Sequence, residues 1–217
     1  MKHFAHVIAW LSEILLRDEW SNLALKLKEQ YFAFLIELDN RPSQPLQSLL
    51  ISGEDHRFFS HGGIDVIAVC RSLWRTFIVG KREGASTIEM QIVRVLTGRF
   101  ENTIRRKIKE MALATLVVRV VPKSVLPSIY LQIGYYGWQM DSLRAACQRL
   151  CIDPSAIATE DVASLVARIK YPQPRHITDV WTRKIERRSR HLLTLYKSHQ
   201  CGRTYAGLSA RVRYATI

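Results

Sequence analysis

Long apolar runs are missing from this sequence. No stretch approaches the ~20 residues that a membrane-spanning helix needs, so anchoring by a span is not expected. Cysteine is scarce as well. The four present, Cys70, Cys147, Cys151 and Cys201, show neither a CxxC pair nor a Cys/His ligand spacing. They read as small buried hydrophobes, not as a zinc site. No segment alternates convincingly as a strand, and there is no internal repeat or low-complexity tract. Acidic residues are in deficit, 19 against 32 Lys and Arg, which leaves a net charge of +13. That balance favours a polyanionic partner: nucleic acid, an anionic membrane surface or a phosphorylated ligand. What is present in quantity is apolar residues, 47% of 217. That supply fills a sizeable core.

The apolar residues recur at helical spacing, so the fold class is expected to be mainly α. Phe4, Val7, Ile8, Leu11 and Leu15 lie on one face of an amphipathic helix, which either packs on the domain or rests on a membrane surface. No small-residue cleavage pattern follows it. Trp20, Leu23, Leu27, Phe34 and Leu38 continue the rhythm, and Pro42 and Pro45 are expected to end that helix. Residues 1–45 therefore read as a helical extension, 46–200 as the main domain and 201–217 as a tail. GKREGA, residues 80–85, reads as a mobile basic loop. Ser86 to Glu89 fits a capping box, which gives Ser86 a structural explanation. On the helix it opens, Thr87, Gln91 and Arg94 form a polar stripe. TIRRKIKEMALATLVVRVV (103–121) is a longer helix, stopped by Pro122, in which Glu110 lies beside Arg106 and Lys107. Another helix is expected from about Ser124 to Gly134, with Pro127 in its first turn.

GEDHRFFSHGG, residues 53–63, gathers two carboxylates, two imidazoles, a guanidinium and two phenyl rings between glycines. Such a mixture suits neither a core nor an ordinary surface loop and suggests a cleft. Glu54 beside the aromatic pair suits a general base or acid, and equally a helix-cap or surface carboxylate. Asp55 and His56 suit structural hydrogen bonding. His61 could fix the turn at Gly62-Gly63 or touch a ligand. Taken alone, the Arg106, Lys107, Glu110 cluster is i,i+4 pairing on a solvated helix, and Arg94 is a surface residue.

In sequence order these pieces resemble the peptidoglycan glycosyltransferases of glycosyltransferase family 51, found in monofunctional transglycosylases and class A penicillin-binding proteins. EDHRFFSHGGID resembles the family's EDxxFxxHxG, and GASTIEMQIVR (84–94) resembles GxSTxxxQxxK. Arg106, Lys107 and Glu110 match RKxxE, and SVLPSIYLQIGYYG (124–137) is similar to ILxxYLNxxYxG. SLRAACQRL and ATEDVASLVARIKYPQP resemble its later segments. The similarity covers residues 50 to about 200, and its ordered spacing makes it specific.

The resemblance implies a lysozyme-like helical lobe with a smaller membrane-facing jaw, and polymerisation of lipid II with inversion and loss of undecaprenyl diphosphate. Glu54 would be the general base and Glu110 the second catalytic carboxylate. Asp55, Phe58, His61, Gly84, Ser86, Thr87, Gln91, Arg94, Arg106, Lys107 and Gln132 would contact substrate. It implies a divalent cation, Mg or Mn, at the diphosphate with help from Glu110, and no organic cofactor. Implied partners are lipid II, the growing glycan strand, an anionic membrane and proteins that anchor the enzyme or act with it in cell-wall synthesis. Nucleic acid is not among them. The expected place is the outer face of the cytoplasmic membrane, bound peripherally, although the sequence indicates no export route. Three positions depart from the family pattern: Arg94 stands for Lys, Asn102 for an Arg that Arg99 or Arg105 would have to replace, and Gln132 for Asn. These departures leave a non-polymerising homologue that binds lipid II or glycan strands as the second reading. A basic helical nucleic-acid binder is the third, although it leaves the ordered carboxylate motifs unexplained.

Overall fold

The computed structural model describes residues 10, 12–37, 41–80, 84–153, 160–202 and 204–208. Its helices are α1 (Arg17–Ile36), α2 (Gln44–Glu54), α3 (Val66–Phe77), α4 (Ile88–Thr97), α5 (Ile104–Val120), α6 (Leu126–Ile133), α7 (Leu143–Leu150), α8 (Glu160–Lys170) and α9 (Asp179–Gln200). Among the described residues there is no strand, only isolated bridges from Gly137 to Met140 and to Gln173. The fold is mainly α, as the periodicity predicts. Most of the expected N-terminal amphipathic helix (Phe4, Val7, Ile8, Leu11), Leu38, residues 81–83 of the basic loop, and residues 209–217 lie outside the described residues. The chain divides into two compact units, residues 1–32 with 57–122 and residues 33–56 with 123–217.

In the first unit α4 packs on α5. Ile88, Met90, Ile92 and Val93 are buried on one helix, and Leu113, Ala114, Leu116 and Val117 on the other. Leu23 and Leu27 of α1 are buried as expected, each gaining roughly 1.5–3 kcal/mol on leaving water. Thr103 caps α5 by accepting the Arg106 amide. The cap of α4 departs from expectation: it is Thr87, whose Oγ1 accepts the Met90 amide at 3.3 Å, and the helix starts at Ile88. Thr87 wins over Ser86 because its hydroxyl also donates to the Gly63 carbonyl at 2.7 Å, a buried bond that ties the helix start to the HGG turn. Gly63 itself has φ +103°, and a Cβ there would lie 2.3 Å from the Ala114 carbonyl oxygen, so only glycine fits. His61 accepts the Gly63 amide through Nδ1 at 3.3 Å, fixing that turn. In contrast to α4 and α5, α3 buries no residue and leaves Val66, Ile67, Leu73, Trp74 and Phe77 exposed.

The second unit is built around α2, which packs against α9, α8 and α6. Pro45 does not end α1 as expected; it stands in the first turn of α2, where its missing N–H costs nothing, behind the Ser43 cap. Leu46, Leu49, Leu50 and Ile51 of α2 join Val162, Leu165 and Val166 of α8 and Ile185 and Leu192 of α9 in the core. α6 begins at Leu126 with Pro127 in its first turn, as the sequence predicts. Gly53 shows why a glycine belongs inside α2. A Cβ there would fall 2.2 Å from Cδ2 of buried Leu192 and 3.0 Å from Nη2 of Arg188, so α9 approaches as closely as it does only because no side chain intervenes. Gly53→Ala is expected to lower stability by about 1–3 kcal/mol through overpacking, despite alanine's better helix propensity. Urea unfolding checks this, and an unchanged midpoint would contradict it.

Candidate active site

The charged residues named by the sequence fall in both units. Glu54, the last residue of α2, belongs to the second. Its carboxylate is no surface group: the side chain is 12% exposed, and Oε1 accepts from Arg188 Nη2 at 2.9 Å. The same Nη2 donates to the Gly53 carbonyl at 2.7 Å, so the guanidinium is held at two points and fixes the carboxylate's direction. Arg188 is the partner of Glu54 that sequence reasoning missed. It sits in the basic run of α9, where eight of twenty-two residues are Lys, Arg or His and hide any one of them, but it shares the inward stripe of Ile185, Ser189 and Leu192. A cation on a buried stripe is the signal that could have found it.

Asp55 is buried at the end of α2, its backbone N–H donating to the Ile51 carbonyl. Just upstream, Ser52 Oγ bonds to the Tyr205 hydroxyl and to His199 Nδ1, the latter at 3.0 Å, while the His199 ring stacks on His56. These contacts anchor the helix that ends in Glu54. Gln132, the residue in place of the family's Asn, is half-buried on α6 in the same unit.

In the first unit, four charged groups meet. Glu110 is 3% exposed, and both its oxygens are occupied: Arg94 Nε donates to Oε2 at 3.1 Å and Arg94 Nη2 to Oε1 at 2.8 Å. Arg106 Nη1 also donates to Oε2, and Lys107 Nζ reaches Oε1 at 3.4 Å. Arg94, from α4, thus joins the i,i+4 pair of α5 into one cluster, which the solvated-helix reading does not anticipate. The replacement of Lys by Arg at 94 uses the planar fork that a carboxylate matches. Lys107 Nζ is 2.7 Å from Ser86 Oγ, so the serine released from capping serves the cluster. Burial pushes the Lys107 ammonium below its ordinary range, Arg94 and Arg106 add to this, and Glu110 opposes it.

The remaining expected contacts divide. Phe58 is fully buried, edge-on to Phe59 with ring centres 4.9 Å apart, so it supports the loop from inside and does not face a ligand. Thr87 is buried with its hydroxyl committed to the cap and to Gly63. Gln91 and His61 are half-buried, and Gly84 is exposed. Asn102 is exposed, and both terminal nitrogens of Arg99 donate to Glu19 of α1, at 3.3 and 3.2 Å. Lys109 reaches the same Glu19 oxygen at 2.6 Å. Burial alone would raise the Glu19 carboxyl, but Lys109 and Arg99 outweigh it and hold it below the usual carboxylate range. A divalent ion does not fit at Glu110: its two oxygens are taken by donors from three cations, and an ion would have to displace them against like charge.

The transglycosylase family model matches residues 21–197. The chain therefore belongs to the transglycosylase family. Among curated relatives, it is 33% identical over 131 residues to penicillin-binding protein 1A of Rickettsia typhi, covering 57% of this chain and 16% of that protein. It is 32% identical over 114 residues to penicillin-binding protein 1A of Escherichia coli, covering 52% of this chain and 13% of the relative. The monofunctional glycosyltransferase of Staphylococcus epidermidis is 28% identical over 160 residues, 70% of this chain and 59% of that protein. The chain thus spans about a sixth of the length of the penicillin-binding proteins it matches. The family match begins inside α1, so part of the N-terminal extension falls within it.

Proposed function

We propose that this chain is a peptidoglycan glycosyltransferase that polymerises lipid II at the cell envelope, with undecaprenyl diphosphate as the leaving group. The observation that carries the reading is the convergence of Arg94, Arg106 and Lys107 on buried Glu110. A leaving diphosphate gathers negative charge as its bond to the anomeric carbon breaks. Cations already fixed in place stabilise that charge without having to reorganise. Glu110, unable to bind a metal while so occupied, orients the three cations. Ser86 holds Lys107 from the other side.

Glu54 is the base: it takes the proton of the acceptor 4-hydroxyl while that oxygen attacks the donor's anomeric carbon. Arg188 acts as a positioning residue by fixing the carboxylate. One displacement inverts the anomeric centre. The product strand's linkages should therefore have the configuration opposite to the donor's, with one undecaprenyl diphosphate released per bond. NMR of the product with a stoichiometric assay of the lipid tests this, and retained configuration would contradict it. Because the Lys107 ammonium is depressed, polymerisation should fall at alkaline pH below lysine's ordinary value as that cation is lost. In Lys107→Arg the alkaline limb should move upward, since a guanidinium keeps its proton. An unmoved limb would remove Lys107 from the leaving-group site.

Partners follow from the same chemistry: lipid II, the growing strand, an anionic membrane and proteins of cell-wall synthesis. No single helix among the described residues is long and apolar enough to cross a membrane. We infer peripheral contact with the outer face of the cytoplasmic membrane from α3: Trp74 is 59% and Phe77 78% exposed, beside Arg71 and Arg75 on a chain of net charge +13. This face is the membrane-directed jaw of the family in our reading. Anionic liposomes should float the chain at low salt, and Trp74→Glu with Phe77→Glu should abolish flotation. Flotation of the double variant equal to wild type would place the membrane face elsewhere.

A further inference from the structure

The turn after α6 carries a second cationic site unrelated to the cluster around Glu110. Trp138 is half-buried there, between Gly137 at φ +139° and Gln139 at φ +59°. A left-handed glutamine is a strained choice, and strain at a non-glycine position marks something the surroundings enforce. The turn's own bonds enforce it, the Met140 amide donating to the Gly137 carbonyl at 2.9 Å and the Tyr136 amide to the Met140 carbonyl at 2.8 Å. The turn is held to Gln173 by the Trp138 amide donating to the Gln173 carbonyl at 2.8 Å and the Gln173 amide to the Tyr136 carbonyl at 2.9 Å. A Cβ on Gly137 would lie 2.4 Å from the Gln173 nitrogen, so the approach requires glycine. Gln173 is itself buried and accepts from Arg168 Nε at 3.2 Å.

On this rigid turn two guanidiniums stack against the indole, Arg149 of α7 at 4.9 Å from the ring centre and Arg175 at 5.4 Å. The strained Gln139 has a task here: its Oε1 accepts from Arg149 Nη1 at 2.9 Å and fixes the guanidinium's rotation. Both arginines are exposed, and among the described residues no carboxylate pairs with either. Cations held in place by an aromatic face, with outer N–H edges open, are preorganised for an oxyanion.

We propose that Trp138, Arg149 and Arg175 form a binding site for a carboxylate of a short peptide. A planar carboxylate continues the guanidinium plane beside the indole. Each guanidinium edge offers two parallel N–H groups, which the two coplanar oxygens of a carboxylate fill completely. Under the proposed function the peptide is the one borne by the substrate. Only this source, not the carboxylate chemistry, rests on that reading.

The test uses the full chain and isothermal titration with a soluble disaccharide–tetrapeptide, its fully amidated counterpart and inorganic diphosphate. Wild type should bind the free acid about tenfold more tightly than the amide, the order expected of one charge-assisted pair. Arg175→Gln and Arg149→Gln, both surface changes, should each erase that preference. Diphosphate should not compete with the peptide. Equal binding of acid and amide by wild type, or a preference undiminished in both variants, or competition by diphosphate at equal concentration, would each overturn the proposal. A wild-type chain that makes strands from lipid II yet ignores the carboxylate refutes this site alone. One that prefers the free acid yet makes no strands supports the site and refutes the proposed function.

Discussion

Glu54→Gln should lower polymerisation by about two to four orders of magnitude while leaving lipid II binding nearly unchanged. Because it neutralises one half of an ion pair whose side chains are 12% and 10% exposed, it should also lower the melting temperature without unfolding the chain at assay temperature. The amide keeps the shape of the side chain and one acceptor oxygen for Arg188 Nη2, now 2.9 Å from Oε1. It cannot take a proton. That separation of catalysis from binding is what a base predicts and what a helix-end carboxylate does not. Arg188→Ala offers a graded comparison, since it frees the carboxylate's direction without removing its basicity. Folded Glu54→Gln with wild-type turnover would return Glu54 to a structural role.

Glu110→Gln should behave differently, losing both activity and stability. Among the described residues, Glu110 is the one carboxylate that Arg94, Arg106 and Lys107 share, and neutralising it leaves three cations facing one another. Breaking a buried pair costs roughly 3–5 kcal/mol, and the low end applies because Arg94 and Lys107 side chains retain 28% and 33% exposure. Turnover should drop by about 100- to 1000-fold as the cations lose their aim at the leaving group. Calorimetry alongside the strand assay checks both parts. A variant that melts like wild type would show that the cluster does not depend on Glu110.

The contrast between these two variants reflects what a linear sequence can reveal. Arg106, Lys107 and Glu110 are within one helical turn, so their meeting was legible from spacing, and Arg94 joins them from the adjacent helix α4. The helices themselves are legible where prolines and periodicity agree, as at Pro122 after α5 and Pro127 in the first turn of α6. Arg188 was not legible, because it meets Glu54 across 134 residues and its neighbours in α9 are equally basic. The choice of Thr87 over Ser86 as cap turned on a bond to Gly63, 24 residues away. Phe58 and Phe59 look alike in sequence, yet Phe58 is fully buried and Phe59 half-buried, a distinction made only by packing. Glu19 of α1 likewise meets Arg99 and Lys109 from 80 and 90 residues away. Local pattern reaches one turn or one cap; partners brought in by tertiary packing lie beyond it.

The central claim is that this chain makes glycan strands, and it is tested most directly by incubating the purified protein with labelled lipid II in detergent and resolving the products on a gel. The account predicts a ladder of polymer in wild type that disappears in Glu54→Gln. Intact lipid II after prolonged incubation of folded wild-type protein, with binding to it still measurable, would contradict the account and leave a lipid II-binding homologue in its place.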